Sequence, residues 1–324
     1  MQEKIFNIQT QEEFTTLALD VFKHQFKNNK VYRSFCDLLY VHPSDITRIE
    51  EIPFLPIQFF KTREVLSSKE KIAETFTSSG TTGTVTSKHF VTDINLYKES
   101  YLKGFAHFYG NIKDFVVLAL LPNYLERKGS SLVFMVDDLI EKSKNSESGF
   151  YLDNLDELAQ KLLNLDKKGQ KVLLIGVSFA LLDLVEKYKF DLKNTIIMET
   201  GGMKGRRKEL IRNELHQLLK AGFQVDKIHS EYGMTELLSQ AYSKGNGIFE
   251  TPNWMQVLTR DTEDALTILD KEKTGGINII DLANYNSCSF IATQDLGKVY
   301  KNGTFEIIGR FDNSDIRGCN LMVL

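Results

Sequence analysis

The first regular pattern in the chain opens at Thr10, where Glu13 three residues later completes a capping box and Phe14, Leu17, Val21 and Phe22 follow at helical spacing. It predicts helix to about Leu39. Pro43, Pro53 and Pro56 then break any helix and mark an irregular connection. From Phe115 onward, apolar runs at 115–121, 171–176 and 195–198 predict buried strands. Amphipathic stretches at 155–165 and 181–188 lie between them, and a third at 210–219 follows the last strand and is expected to close at Gly222. This alternation implies an α/β fold, with a mostly parallel sheet and helices on both faces. After about Leu238 the pattern shifts to short alternating segments at 254–258, 266–269, 277–281 and 289–292, separated by Gly275-Gly276 and other turn residues, which predict a β-rich subdomain. The expected division is a helical N-terminal region over 1–70, an α/β core over 71–240, a β-rich subdomain over 241–308 and a short tail over 309–324. The polar run Lys142 to Ser148 reads as a surface loop, and no internal repeat is visible.

Composition narrows the class. With 324 residues, 42% hydrophobic and 26% charged, the chain can bury a substantial core and has the balance of an ordinary globular protein. A net charge of -3 argues against nucleic acid held by general electrostatics. No continuous apolar stretch suits a signal peptide or a membrane span. Cys36, Cys288 and Cys319 are far apart with no CxxC pair, so neither a disulfide framework nor a structural zinc site is expected. A reducing, cytoplasmic setting fits this usage.

The most informative stretch is Thr77-Ser78-Ser79-Gly80-Thr81-Thr82-Gly83-Thr84, with Ser87 and Lys88 just beyond. Six hydroxyl side chains and two glycines in eight residues leave almost nothing to pack. Such a loop offers backbone N–H groups that a polyphosphate can approach, hydroxyl donors for its oxygens, and a nearby cation in Lys88. No Gly-Lys-Ser/Thr ends it, so it is not a Walker A loop, and no GxGxxG occurs. A bland linker would rarely sit between Phe76 and the patterned Lys88-His89-Phe90-Val91. A second cluster, Tyr232-Gly233-Met234-Thr235-Glu236, combines an aromatic plane, a glycine that permits a turn, a hydroxyl and a carboxylate able to hold Mg²⁺. Between the two, Glu199-Thr200-Gly201-Gly202-Met203-Lys204-Gly205 ends a predicted strand with three glycines in five residues, leaving room for a flat base.

The hydroxyl-rich loop resembles the phosphate-binding motif of the adenylate-forming superfamily, which includes acyl-CoA synthetases, luciferases and phenylacetate-CoA ligases. Tyr232 to Glu236 is similar to that superfamily's YGxTE motif, and the two appear in the expected order. The resemblance implies ATP and Mg²⁺, with Thr77, Ser78, Ser79, Gly80, Thr81, Thr82, Gly83 and Lys88 at the phosphates. It implies Tyr232 and Gly233 at adenine beside Gly201, Gly202 and Met203, Thr235 at a phosphate oxygen, and Glu236 as the metal ligand. Thr293-Gln294-Asp295-Leu296-Gly297 resembles the motif whose aspartate binds both ribose hydroxyls, a task suited to two acceptor oxygens. Gly309-Arg310-Phe311-Asp312 resembles the motif whose arginine also reaches the ribose and whose aspartate begins a hinge.

The chain departs from most relatives after that hinge. The superfamily's catalytic lysine lies beyond it, whereas the last lysine here is Lys301. The expectation is that a partner supplies the lysine or that adenylation relies on Mg²⁺ and the phosphate loop. The ending Gly309 to Leu321 resembles the LuxE-like acyl-protein synthetases of bacterial bioluminescence. These activate a fatty acid as the adenylate, take the acyl group on a cysteine near the C-terminus and pass it to an acyl reductase. Cys319 matches that acceptor by position, and Arg317 could lower its pKa. Thr235, Glu236 and Cys319 are therefore the expected catalytic residues. The implied function is ATP-dependent activation of a carboxylic, fatty acid and transfer of the acyl group to a thiol: Cys319 itself, an acyl reductase, an acyl carrier protein or coenzyme A.

Two rivals remain at this level. Gly176-Val177-Ser178-Phe179-Ala180 loosely resembles a serine hydrolase elbow, with Asp191 or Asp226 and His229 downstream. Ala180 replaces its second glycine, and this reading leaves both motifs unexplained. A non-catalytic nucleotide-binding or scaffold protein is the other.

Overall fold

Thr10 caps the helix Gln11–Asn28 by accepting Glu13 N–H at 3.2 Å, and Glu13 returns the bond to Thr10 N–H, also at 3.2 Å. The expected single helix is broken at Asn29, whose side chain accepts Tyr32 N–H at 3.0 Å and starts the helix Lys30–Leu38. The computed structural model describes residues 1–78, 85–122, 129–152, 154–201 and 210–311. Contacts divide the chain into two compact units: Met1–Phe59 and Val65–Ser68 with the chain from Asn253 on, and Phe60–Glu64 with Lys69–Pro252.

The first unit joins the N-terminal helices to the late strands. Met255–Arg260, Thr274–Asp281, Phe290–Val299 and Phe305–Arg310 form consecutive antiparallel pairs, and the short strand Leu55–Pro56 runs parallel to Phe290–Val299. Phe290 anchors the join, with the rings of Phe22 (6.1 Å), Tyr32 (6.0 Å) and Phe54 (6.3 Å) around it. Polar contacts fix the same face. Gln25, fully buried, donates to Asn284 O and Tyr285 O at 3.0 Å each and accepts Ser289 N–H at 2.9 Å.

The second unit carries the sheet that the apolar runs announced. Its order is Gly149–Tyr151, Val116–Leu120, Val172–Gly176, Thr195–Glu199, His229–Tyr232, Ala241–Ser243, and every pairing but the last is parallel. Val116–Leu120 and Val172–Gly176 are buried along their whole length, as strands covered on both faces must be. Helices Leu155–Lys167, Ser178–Lys187 and Arg212–Phe223 alternate with these strands.

Several local expectations are corrected. Gly222 does not end its helix, which runs through Phe223 and stops at a left-handed Gln224. Gly222 is instead a packing site, since a Cβ there would lie 2.3 Å from Val185 Cβ. Residues 266–269 make one bridge, Arg260 to Ile268, rather than a strand, because Asp261 and Asp264 accept backbone N–H groups in the turns leading to it. The surface loop at 142–148 starts only after the helix Ser131–Ser143, and Ser148 is spent accepting Val117 N–H at 2.9 Å.

Gln25→Ala leaves Asn284 O, Tyr285 O and Ser289 N–H with nothing in exchange. It is expected to cost roughly 3 kcal/mol, read as a lower urea midpoint at an unchanged slope.

Candidate nucleotide-binding site

In the second unit, Glu74–Thr77 and Lys88–Val91 form an antiparallel hairpin whose connecting segment is the hydroxyl-rich loop. The neck is closed by Ser78 N–H to Ser87 O at 3.1 Å and Ser87 N–H to Ser78 Oγ at 2.9 Å. Thr77 N–H donates to Gly129 O at 2.7 Å. Gly129 adopts φ +87°, and a Cβ there would come within 3.0 Å of Thr77 Oγ1, so glycine is required on both counts. Thr77 and Lys88 face each other across the hairpin, with Lys88 exposed. Ser79, Gly80, Thr81, Thr82 and Gly83 lie outside the described residues, as do Gly202, Met203 and Cys319.

The strand leaving the loop reaches the second motif. His89, fully buried, donates from Nδ1 to Thr235 O at 2.8 Å, which puts the proton on Nδ1. Nε2 has no hydrogen-bond partner among the described residues, and Phe60 packs edge-on at 5.7 Å. Burial pulls the imidazole down to about 4, outweighing the bond to Thr235. Further along, Ser100 on the helix Ile94–Tyr109 hydrogen-bonds Ser239 at 3.0 Å. The hairpin and its following helix therefore grip residues 235–239 at two points. Sequence reasoning missed His89 as a site residue; its only signal was a histidine in an otherwise strand-like tetrapeptide after the loop.

Tyr232 closes the strand His229–Tyr232, and Glu199 closes its parallel neighbour, so the segments after both leave the carboxyl edge of the sheet, where open α/β sheets bind ligands. Tyr232 packs edge-on against Phe249 at 5.9 Å, and Arg212 lies over the other ring at 5.0 Å from its centroid. Thr200 donates its hydroxyl to Glu231, tying the glycine-rich loop to the residue before Tyr232. Glu231 explains Gly233, since a Cβ there would sit 2.5 Å from Glu231 Oε1. Glu236 is buried at the end of this turn.

Two buried carboxyls of opposite character stand side by side here. Burial alone would raise Glu199, but the His216 hydrogen bond, the Arg212 charge and the Gly201 N–H at 2.8 Å outweigh it and hold the group at about 2. Burial pushes Glu231 up to about 7, against the Thr200 bond and with the negative Glu199 adding to the rise. Ser178, the nucleophile of the hydrolase reading, is buried and donates to Glu199 at 3.3 Å. His229 sits instead against Tyr109 at 3.2 Å, and Asp191 pairs with Lys193 at the surface. The triad that reading needs is not assembled among these contacts.

In the first unit, Asp295 and Arg310 occupy facing positions on adjacent strands and form an ion pair, Nε to Oδ1 at 3.1 Å. Two motifs fifteen residues apart thus supply one carboxylate and guanidinium pair. Asp295 is nearly buried and Arg310 largely exposed.

His89 sets a measurable pH dependence. Its folded pKa lies below the usual 6.5, so the unfolded chain binds the extra proton first and stability falls as pH drops from 6.5 toward 4. At pH 5 the loss from this one group is about 2 kcal/mol. His89→Asn, which keeps an N–H beside Thr235 but cannot take the charge, is expected to flatten that part of a pH series of urea titrations; a variant as pH-sensitive as the parent rules this out.

Residues 5–104 match the family described as acyl-protein synthetase, LuxE. A long-chain-fatty-acid–luciferin-component ligase of Aliivibrio fischeri is 25% identical over 94% of this chain and 86% of its own length. Its counterpart in Vibrio harveyi is 23% identical over 98% and 89%. Among solved structures, 2-hydroxyisobutyryl-CoA ligase, in an open conformation with 2-HIB-AMP and CoA, superposes with a TM-score of 0.68 at 11% identity over 93% of this chain and 70% of its own. ATP-bound MatB from Rhodopseudomonas palustris gives 0.55 at 17% identity over 75% of this chain. The chain spans about half of MatB, 49%. The fold is that of the N-terminal domain of adenylate-forming ligases, and among the described residues no helix is long and apolar enough to cross a membrane. With two relatives aligned almost from end to end and the family's own signature over its first third, this chain is similar to the LuxE acyl-protein synthetases.

Proposed function

We propose that the protein uses ATP to activate a long-chain fatty acid as its acyl-adenylate and then passes the acyl group to a thiol. The observation that carries this reading is the hydrogen bond from His89 to Thr235, which fastens the stem of the hydroxyl-rich loop to the turn bearing Thr235 and Glu236. The stem of the hydroxyl-rich loop and the turn that carries a buried carboxylate, about 150 residues apart in sequence, are joined by this bond, which supports a metal–polyphosphate site there. The relatives' names supply the acid, since both act on long-chain fatty acids.

In this mechanism the substrate carboxylate attacks the α-phosphorus of ATP, the bond to the β-phosphate breaks, and pyrophosphate leaves. Thr77, Ser78 and Lys88, with the loop tip Ser79 to Gly83, supply donors to the phosphates, and Thr235 a hydroxyl. Tyr232 and Gly233, with Gly201, Gly202 and Met203, flank adenine, and Asp295 with Arg310 holds the ribose. Mg²⁺ is bound in such sites by one or two carboxylates together with substrate phosphates, and Glu236 is a donor of the right kind; the ion would stabilise charge developing on the phosphates. Thr235, with its carbonyl committed to His89, keeps the adjoining Glu236 in place. A thiolate then attacks the acyl carbonyl, AMP departs, and a thioester results. Cys319 is the candidate acceptor within the chain; Cys36 and Cys288 are buried, and burial raises both thiols far from their reactive range, Cys36 to about 12. Free buried thiols suit a reducing, cytoplasmic setting.

Fatty-acid-dependent exchange of labelled pyrophosphate into ATP is the direct test. Glu236→Ala is expected to lower it on the order of a hundredfold or more, the cost of losing one electrostatic stabiliser. Wild-type protein with no acid-dependent exchange would instead favour a nucleotide-binding scaffold. Intact-mass analysis after turnover is expected to show one acyl group on the wild type and none on Cys319→Ser; acylation unchanged in that variant assigns the acceptor elsewhere.

A further inference from the structure

Two irregularities in strand pairing bracket Asp295. Between Thr274–Asp281 and Phe290–Val299 the register shifts between Gly276 and Asn278, so residues 293–295 face Ile277 alone. Between Phe290–Val299 and Phe305–Arg310 it shifts again at Leu296 and Gly297. Bulges of this kind re-aim side chains, but they leave backbone groups without ladder partners.

A single buried guanidinium meets that demand. Arg260, on Met255–Arg260, donates from Nη1 to Ile277 O and Asn278 Oδ1, each at 2.8 Å, and from Nη2 to Thr293 O at 2.6 Å. Its cross-strand partner is Gly276, where a Cβ would lie 2.7 Å from Arg260 Cζ, so the glycine makes room for the guanidinium over the strand. Thr293 completes the link to the site. Its hydroxyl donates to Ile277 O at 2.9 Å and accepts Asp295 N–H at 3.1 Å. The opposite strand is held as well, for Arg260 lies over the Phe311 ring at 5.6 Å, and Phe311 N–H donates to Gln294 O at 2.7 Å.

We propose that Arg260, acting through Thr293 on one strand and through Phe311 just past the end of the other, is a positioning residue that sets the Asp295–Arg310 pair for the vicinal hydroxyls of a nucleotide ribose. The inference deepens the proposed function and rests on its assignment of ATP. Lysine cannot replace Arg260, since one ammonium lacks the planar fork that serves three acceptors at once.

The test compares ATP with 2′-deoxy-ATP and 3′-deoxy-ATP in fatty-acid-dependent pyrophosphate exchange by the full-length chain. The wild type is expected to prefer ATP by roughly tenfold or more, as sites built to bond a hydroxyl do. Arg260→Lys is expected to raise KM for ATP about tenfold, leave kcat within about threefold, and erase most of the preference for the ribose hydroxyls. Thr293→Val, close in shape, is expected to do the same and decides the matter if Arg260→Lys does not fold. Variants that lose stability yet discriminate as the wild type does reduce Arg260 to a structural role and overturn the proposal. A wild type that exchanges without discriminating also overturns it, while leaving adenylation standing; absence of exchange in the wild type removes the ATP reading and this inference together.

Discussion

One buried hydrogen bond, from the His89 imidazole to the Thr235 carbonyl, is the constraint on which the site proposed in the second unit depends. A hydroxyl-rich loop has no side chains with which to build a core, so its place must be set by what holds its stem. Ser78 and Ser87 close the neck, Gly129 receives Thr77, and His89 fastens the returning strand to the turn that carries Glu236. Because the imidazole is wholly enclosed, its neutral form is built into the fold, and the anchor acts as a one-way donor.

The carboxyl edge of the parallel sheet shows how the cost of buried polarity is met group by group. Glu199 is surrounded by Arg212, His216, Ser178 and the Gly201 N–H, and stays ionised. Its neighbour Glu231 has one hydroxyl and a nearby negative charge, and moves toward neutrality. Two carboxyls with separated pKa values in one place are a recurring feature of functional sites. Here they also join structure to chemistry, since Glu199 and Glu231 between them hold the loop after Glu199 to the strand before Tyr232. The first unit meets a similar demand with Arg260, which satisfies the carbonyls that irregular pairing leaves beside Asp295.

The sequence alone determined the fold class and suggested the chemistry. Continuous apolar runs can be buried only as strands covered on both faces, so Val116–Leu120, Val172–Gly176 and Thr195–Glu199 were legible, and so was the parallel sheet they build. A loop of hydroxyls and glycines offers little to pack, so its composition pointed to the phosphate role proposed for it. Tertiary structure decided what depends on partners distant along the chain. Gly222 looks like a helix end in one dimension and is a contact with Val185 in three. His89 reads as an ordinary strand residue until Thr235 lies beside it, and Arg260 shows its role only where Gly276, Ile277 and Thr293 surround it. The N-terminal helices give no hint that Gln25 is matched to Asn284, Tyr285 and Ser289. Periodicity records which face of an element is buried, whereas a buried polar group is defined by the atoms that satisfy it, and those are brought together only by the fold.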